Sequence, residues 1–250
     1  MPRMGTLYLV RHGQASFGAA DYDQLSELGT RQCHALGLWF AQRGIAFEGV
    51  LRGTLKRHAQ SLAGIAAGLN AGLNAGLNAD LNADNSEAGG AALPLALEWP
   101  GLNEYDSEAL IRTVHAGPLA KPDALKITPE VHKAHFRLLR DALGLWMAGQ
   151  TQPEGMPSWP AFSAGVAAAL QHVRATHSGN VLLVSSGGPI ATAVHQVLGT
   201  PPETAIELNL RIRNSALSEF SFTPKGHRLL SYNHLPHLDH PERHGWETYA

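Results

Sequence analysis

The residues best suited to chemistry come early. Arg11-His12-Gly13 follows directly on Leu7-Tyr8-Leu9-Val10, a run rich in strand formers. An arginine presents a planar fork of donors matched to phosphate. A histidine can attack phosphorus as a nucleophile, and a glycine lets the backbone approach a ligand closely. A second turn of interest, Ser186-Gly187-Gly188-Pro189, follows the clearest strand of the chain, Asn180-Val181-Leu182-Leu183-Val184-Ser185. Short continuous apolar runs suit buried parallel strands, and in open α/β sheets ligands bind at the carboxyl ends of such strands. If the two strands are neighbours, their glycine-containing turns share one crevice. The plain alternative for Arg11 and His12 is a strand end carrying two solvated side chains, and the tripeptide alone hardly separates the two readings.

The elements that must position these turns can be read in outline. Ser26 precedes a helical pattern with Leu36, Trp39 and Phe40 on one face, stopped by Gly44. Gly49-Val50-Leu51 reads as a short strand, with Thr54 placed to cap a helix carrying Leu55, Leu62 and Ile65. Ala-Gly-Leu-Asn then occurs three times over 67–78, followed by the decayed copy Ala79-Asp80-Leu81-Asn82. The period of four is near that of a helix, but repeated Gly and Asn are poor helix formers. The stretch at about 67–92 therefore reads as a low-complexity surface insert, extended or partly helical, within a single domain spanning 1–250. Leu93 to Leu97 reads as a short strand or extended segment. Helical patterns follow at about 107–115, 129–147, 160–177 and 190–198, and strands near 207–211, 216–222 and 228–232. The C-terminal stretch looks irregular. Strands alternating with helices predict an α/β fold, a mainly parallel central sheet with helices on both faces.

Composition narrows the function classes. The chain has 250 residues, 44% of them hydrophobic, and a formal net charge of −2. That balance gives no case for nucleic acid or a membrane surface as a partner. No apolar run approaches the roughly 20 residues that span a bilayer. Met1 to Gly5 leads directly into the first strand, which points away from a signal peptide. The single cysteine, Cys33, excludes an internal disulfide and reads as a buried structural thiol in a helix. Together these features point to a cytoplasmic protein.

Several segments in order resemble the histidine phosphatase superfamily, the phosphoglycerate-mutase-like proteins. Leu9-Val10-Arg11-His12-Gly13 matches the defining motif. Leu25-Ser26-Glu27-Leu28-Gly29, followed by Gln32, resembles the usual start of the first helix, and Thr54 to Ser61 the second motif, whose arginine is Arg57. Leu102-Asn103-Glu104 resembles the segment carrying the family's acid. Val181 to Gly188 resembles the last motif, and Asn214-Ser215 and Asn233-His234-Leu235 weaker C-terminal signatures. The resemblance implies hydrolysis of a small phosphorylated substrate through a phosphohistidine on His12, with no cofactor and no metal. Arg11 and Arg57 would hold the phosphoryl oxygens, and Glu104 would protonate the leaving oxygen and later help to activate water. A nucleophilic imidazole must be neutral and oriented, so its other nitrogen is expected to donate to a backbone carbonyl. A solvated basic helix face remains the plain reading of Arg57 beside Lys56 and His58. An exposed carboxylate is the plain reading of Glu104, with Glu98, Asp106 and Glu108 nearby. Gln14 and Ser16 either touch substrate or only satisfy local backbone groups.

The chain departs from the family at one motif position. The family places a second histidine after the last apolar strand; here Ser186 stands there. A charged donor to phosphate contributes roughly 1.5–3 kcal/mol and a neutral one about 1, so the loss is worth about one order of magnitude in rate. The Ser186 hydroxyl and the backbone N–H groups of Gly187 and Gly188 are candidate replacements, as are the side chains of His115 and His234. Slowed or selective turnover is one consequence. The alternative is a non-catalytic phosphoester-binding or regulatory domain of the same fold. A phosphoglycerate mutase is disfavoured, because Gln14-Ala15-Ser16-Phe17-Gly18 lacks the longer Trp-containing loop of true mutases. Zinc on His234, His237, His240 and His244 is a further possibility from spacing alone, with a solvated tail as its bland counterpart.

Overall fold

The computed structural model describes residues 4–16, 23–80, 93–115, 117 and 129–249. Its centre is strand β1 (Gly5–Arg11) paired in parallel with β4 (Asn180–Ser185), with Arg11 opposite Ser185 at the carboxyl end. Beyond β4 lie β2 (Gly49–Arg52) and the two-residue β3 (Leu97–Glu98), both parallel. On the other side of β1, β5 (Leu217–Thr223) and β6 (Gly226–His234) run antiparallel. The order is β3-β2-β4-β1-β5-β6, the mainly parallel sheet expected from sequence.

Side chains alternate across a strand, and β1 and β4 use both faces. Leu7, Leu9, Val181 and Leu183 enter one core; Tyr8, Val10, Leu182 and Val184 enter the other. The first core packs under α3 (Ser107–Arg112), α4 (Pro129–Met147), α5 (Trp159–Thr176), α6 (Gly187–Leu198) and α7 (Thr204–Asn209). Trp146, Trp159 and Phe162 meet there ring to ring, and the buried Trp146 indole N–H donates to the Pro157 carbonyl at 3.1 Å. The second core lies under α1 (Glu27–Gln42) and α2 (Lys56–Asp80). Ser26 caps α1 as expected, accepting from the Gly29 N–H.

Three local expectations are corrected. Residues 207–211 are not a strand. Glu207-Leu208-Asn209-Leu210 alternates polar and apolar, but Ala205 and Ile206 are buried as one face of α7, and the Leu210 N–H donates back to the Ile206 carbonyl. Four alternating residues are too few to fix a period. Thr54 does not cap α2; the Lys56 N–H is satisfied from a distant loop by Asp23 at 2.8 Å. The C-terminal stretch contains a 3-10 helix at Pro241–Trp246, and the segment after it is pinned. Gln32 on α1 donates to the Trp246 carbonyl and to Thr248 Oγ1, while Asn214 pairs with Thr248 through backbone and side chain.

The Ala-Gly-Leu-Asn copies continue α2 as helix as far as Asp80, the helical alternative of the two expected, and 81–92 lie outside the described residues. Their glycines face α1. A Cβ on Gly68 would lie 2.0 Å from the His34 carbonyl oxygen, and one on Gly72 would lie 2.5 Å from the Ala41 Cβ. Gly37 on α1 answers them, its Cβ position 2.0 Å from the Ile65 oxygen. Glycines spaced by four thus bring the two helices into backbone contact, and Leu69 fills the core beside them. Gly76 has open space instead. Gly76→Ala should therefore raise stability by up to about 1 kcal/mol through helix propensity. Gly68→Ala should lower it by about 1–3 kcal/mol, because the backbones must part. Paired urea-unfolding curves of the two variants check this opposition of sign.

Candidate active site

His12 is gripped from both neighbouring strands where β1 ends. Its N–H donates to the Ser185 carbonyl at 2.9 Å, and its carbonyl accepts from the Ser215 N–H at 3.0 Å. Ser215 holds a left-handed backbone, φ 57°, and its hydroxyl is bonded to the buried His237 at 2.9 Å. The imidazole plane of His12 is fixed by Nδ1 against the Gly13 carbonyl at 2.7 Å. A carbonyl only accepts, so Nδ1 carries the proton and the lone pair sits on Nε2. Burial, followed by the charges of Arg11 and Arg57 and by His58, holds this imidazole well below the ordinary histidine range and hence neutral.

Two arginines converge on the same place. Arg11 is buried and anchored through its guanidinium to the Ile212 carbonyl. Arg57, on the first turn of α2, is also buried and pairs with Asp23 Oδ1 at 2.7 Å. Asp23 thus binds both Arg57 and the Lys56 N–H, where the positive end of the α2 dipole favours an anion. Both guanidinium charges are felt by His12 and by Glu104.

Glu104 follows the 3-10 turn Pro100–Leu102, which is tied to β4 by the Ser185 hydroxyl donating to the Leu102 carbonyl at 2.7 Å. Its carboxylate accepts from the Gly188 N–H at 3.2 and 3.1 Å and from the Tyr105 N–H at 3.3 Å. A Cβ on Gly188 would lie 2.2 Å from Glu104 Oε1, so only glycine admits the carboxylate here. Burial raises the pKa of Glu104, against the opposing pull of the Gly188 N–H, Arg57 and Arg11. The nearby carboxylates have other partners. Glu98 pairs with Arg52, Asp106 caps α3, and Glu108 pairs with Arg112.

The structure therefore brings Arg11, His12, Arg57, Glu104, Ser186 and Gly187 to the shared end of β1 and β4. The Gly188 N–H differs from expectation, being given to Glu104. Gln14 serves local structure: its N–H donates to Gln32 Oε1, and its side-chain oxygen accepts from Ser26. His115 and His234 are exposed, and neither is hydrogen-bonded to Ser186. The histidine that is bonded there is His58, fully buried, with Nε2 at 2.7 Å from Ser186 Oγ. Sequence reasoning missed it because a histidine beside Lys56 and Arg57 reads as part of a basic helix face. Its place next to the motif arginine is the signal that could have found it. Asp23, Tyr105 and Asn209 were missed as well; the Asn209 amide donates to the Tyr105 hydroxyl beside Gly187. Among the described residues no group of three or more His, Cys, Asp or Glu could hold a metal ion. His237 is buried on Ser215, and His240 accepts from the Glu242 N–H. Nor is any helix among them long and apolar enough to cross a membrane.

Comparisons with known proteins place the chain by family and fold. The family model of the histidine phosphatase superfamily (branch 1) matches residues 7–82 and 126–235. Among solved structures, the fold is similar to Bacillus stearothermophilus YhfR, with a TM-score of 0.61, 15% identity, and 93% of this chain and 98% of that one covered. It is similar to phosphoglycerate mutase from Bacillus anthracis, with a TM-score of 0.60, 16% identity, and 94% and 96% covered. It is also similar to phosphoserine phosphatase from Entamoeba histolytica in complex with 3-phosphoglyceric acid, with a TM-score of 0.57, 18% identity, and 94% and 99% covered. No curated protein matches by sequence. The sequence model spans well over half of the chain and includes Arg11, His12, Arg57 and Ser186, though not Glu104: the chain belongs to the histidine phosphatase superfamily.

Proposed function

We propose that the protein hydrolyses phosphomonoesters through a phosphohistidine on His12. The observation that carries this reading is a buried imidazole whose Nδ1 proton is committed to the Gly13 carbonyl, which leaves the lone pair on Nε2, in a region where the charges of Arg11 and Arg57 act on both His12 and Glu104. His12 Nε2 attacks phosphorus, and the bond from phosphorus to the ester oxygen breaks. Glu104, protonated, gives its proton to the departing oxygen. The Glu104 carboxylate then takes a proton from water as the water oxygen attacks phosphorus and the bond to Nε2 breaks, releasing phosphate. One difficult displacement becomes two easier ones. Arg11 and Arg57 stabilise the charge on the transferring group, where fixed positive charge acts most strongly. Solved relatives bind phosphoserine and 3-phosphoglyceric acid, which supports a small phosphorylated substrate here.

The buried cation cluster needs no turnover to bind phosphate, so retention of phosphoester without reaction is the second reading. Ser186, in place of a second motif histidine, favours it. Trapping separates the two. Incubation with a phosphorus-labelled generic phosphomonoester and an alkaline quench should leave label on the wild-type protein and none on His12→Ala. Phosphate binding without label or turnover would support the binding domain instead.

The pH dependence follows from the two shifted groups. Activity requires His12 neutral, so it falls on the acid side only as pH drops through the lowered His12 pKa. It requires Glu104 protonated for the first step, so it falls on the alkaline side as pH rises through the raised Glu104 pKa. Glu104→Gln should lower kcat by about 10²–10⁴ for a substrate with a poor leaving group. It should also remove the Glu104 limb from the kcat profile, and steady-state rates on an alkyl phosphate across pH 4–9 measure both effects, a range of about five units chosen to bracket the unperturbed carboxylate and histidine values.

A further inference from the structure

Ser186 sits at the N-cap of α6 yet makes no side-chain cap bond. An N-cap serine ordinarily accepts from the second or third N–H of its helix. Here the second, Gly188, is given to Glu104, and the Ser186 oxygen turns instead to His58 Nε2 at 2.7 Å. Both side chains are fully buried. The His58 ring lies 5.9 Å from that of His12, centroid to centroid, so the pair borders the reacting imidazole.

His58 Nδ1 faces the backbone of Gly53, whose carbonyl already accepts from Arg52 at 3.0 Å and also raises the His58 pKa, the mark of a weak N–H contact short of full hydrogen-bonding geometry. Without a ligand the proton belongs on Nδ1 and the Ser186 hydroxyl donates to Nε2, because a proton on Nε2 would leave the buried Ser186 O–H with no acceptor. An anionic phosphoryl oxygen beside Ser186 would supply that acceptor and favour the other neutral tautomer, in which Nε2–H donates to Ser186 Oγ and the hydroxyl proton is given to the ligand. Burial, Arg57 and Arg52 hold His58 neutral, its pKa lowered to about 3, and the oriented hydroxyl thus needs no charged histidine behind it.

We propose that His58 is a positioning residue that turns the Ser186 hydroxyl toward the phosphoryl group bound at His12. The imidazole would enter from α2, and the hydroxyl from the end of β4 would make the contact. The inference rests on the phosphohydrolase reading for its kinetic readout. It explains why Ser186 is not simply a lost charge: the space an imidazole at 186 would take is already shared with one from 58.

A double-mutant cycle tests the pair. With p-nitrophenyl phosphate as substrate, Ser186→Ala and His58→Phe should each lower kcat about tenfold, the worth of one oriented hydrogen bond to a charged group, with KM changed much less. The double variant should be no worse than the poorer single one. His58→Gln, whose amide N–H can still reach Ser186, should stay within about threefold of wild type. His58→Ala combined with Ser186→His should recover activity that His58→Ala alone loses. Additive losses, an unchanged rate in folded His58→Phe, or His58→Gln as poor as His58→Phe would overturn the proposal. If His58→Phe does not fold, His58→Gln against Ser186→Ala and the swapped pair decide it. The same variants titrated with inorganic phosphate keep the two readings apart. A wild-type protein that binds phosphate but never turns over substrate ends the phosphohydrolase reading, and the pair still stands or falls on whether both single variants weaken phosphate equally.

Discussion

The parallel pairing of β1 with β4 is the constraint on which the rest of the molecule depends. Because Arg11 lies opposite Ser185, both strands stop at the same level, and the turns that follow open into one space. The hydrogen bonds continue one residue past the ladder: the His12 N–H reaches the Ser185 carbonyl, and the Ser215 N–H reaches the His12 carbonyl. His12 is therefore not a loop residue waiting to be ordered by a ligand. Its backbone is part of the sheet, and its ring is locked by the next carbonyl along. A one-residue slip between these strands would exchange the two cores and turn Arg11 away from the site. The alternation of Leu7 and Leu9 with Tyr8 and Val10, each pair filling its own core, guards against that slip.

Around this centre the protein concentrates positive charge where water is scarce. Arg11, Arg57 and two neutral imidazoles share the region with the carboxylate of Asp23 and the carboxyl group of Glu104. Buried charges are tolerated when their donors and acceptors are satisfied. Arg11 meets a backbone carbonyl, Arg57 meets Asp23, and Glu104 meets the N–H groups of Gly188 and Tyr105. These supports come from parts of the chain far apart in sequence, which makes the pocket a product of the completed fold.

That distance also explains what could and could not be read from the residues alone. Arg11 and His12 were legible because a strand-to-turn transition is a local pattern. Glu104 was legible only from the order of motifs, since three neighbouring carboxylates offered the same chemistry; their ion pairs and cap bond, which set it apart, are visible only in three dimensions. His58 was not legible. Its role depends on how the first turn of α2 is set against the end of β4, an arrangement that no helical periodicity encodes. The α7 segment failed for the opposite reason, because a short alternation imitated a strand and burial of Ala205 and Ile206 decided for a helix.

The glycine face of α2 bears on how this sequence can change length. A four-residue unit advances a helix by about 6 Å and turns it by about 400°, nearly one full revolution plus a small drift. Consecutive units therefore present their glycines to almost the same side. Gly68 and Gly72 meet α1, while Gly76 lies past the reach of Gln42, where α1 ends. At that point a Cβ meets open space, so the close packing of α2 on α1 stops short of Gly76, about five turns from the residues Arg57 and His58 at the other end of the same helix. A four-residue unit added at the open end would therefore leave the register of the packed end as it is.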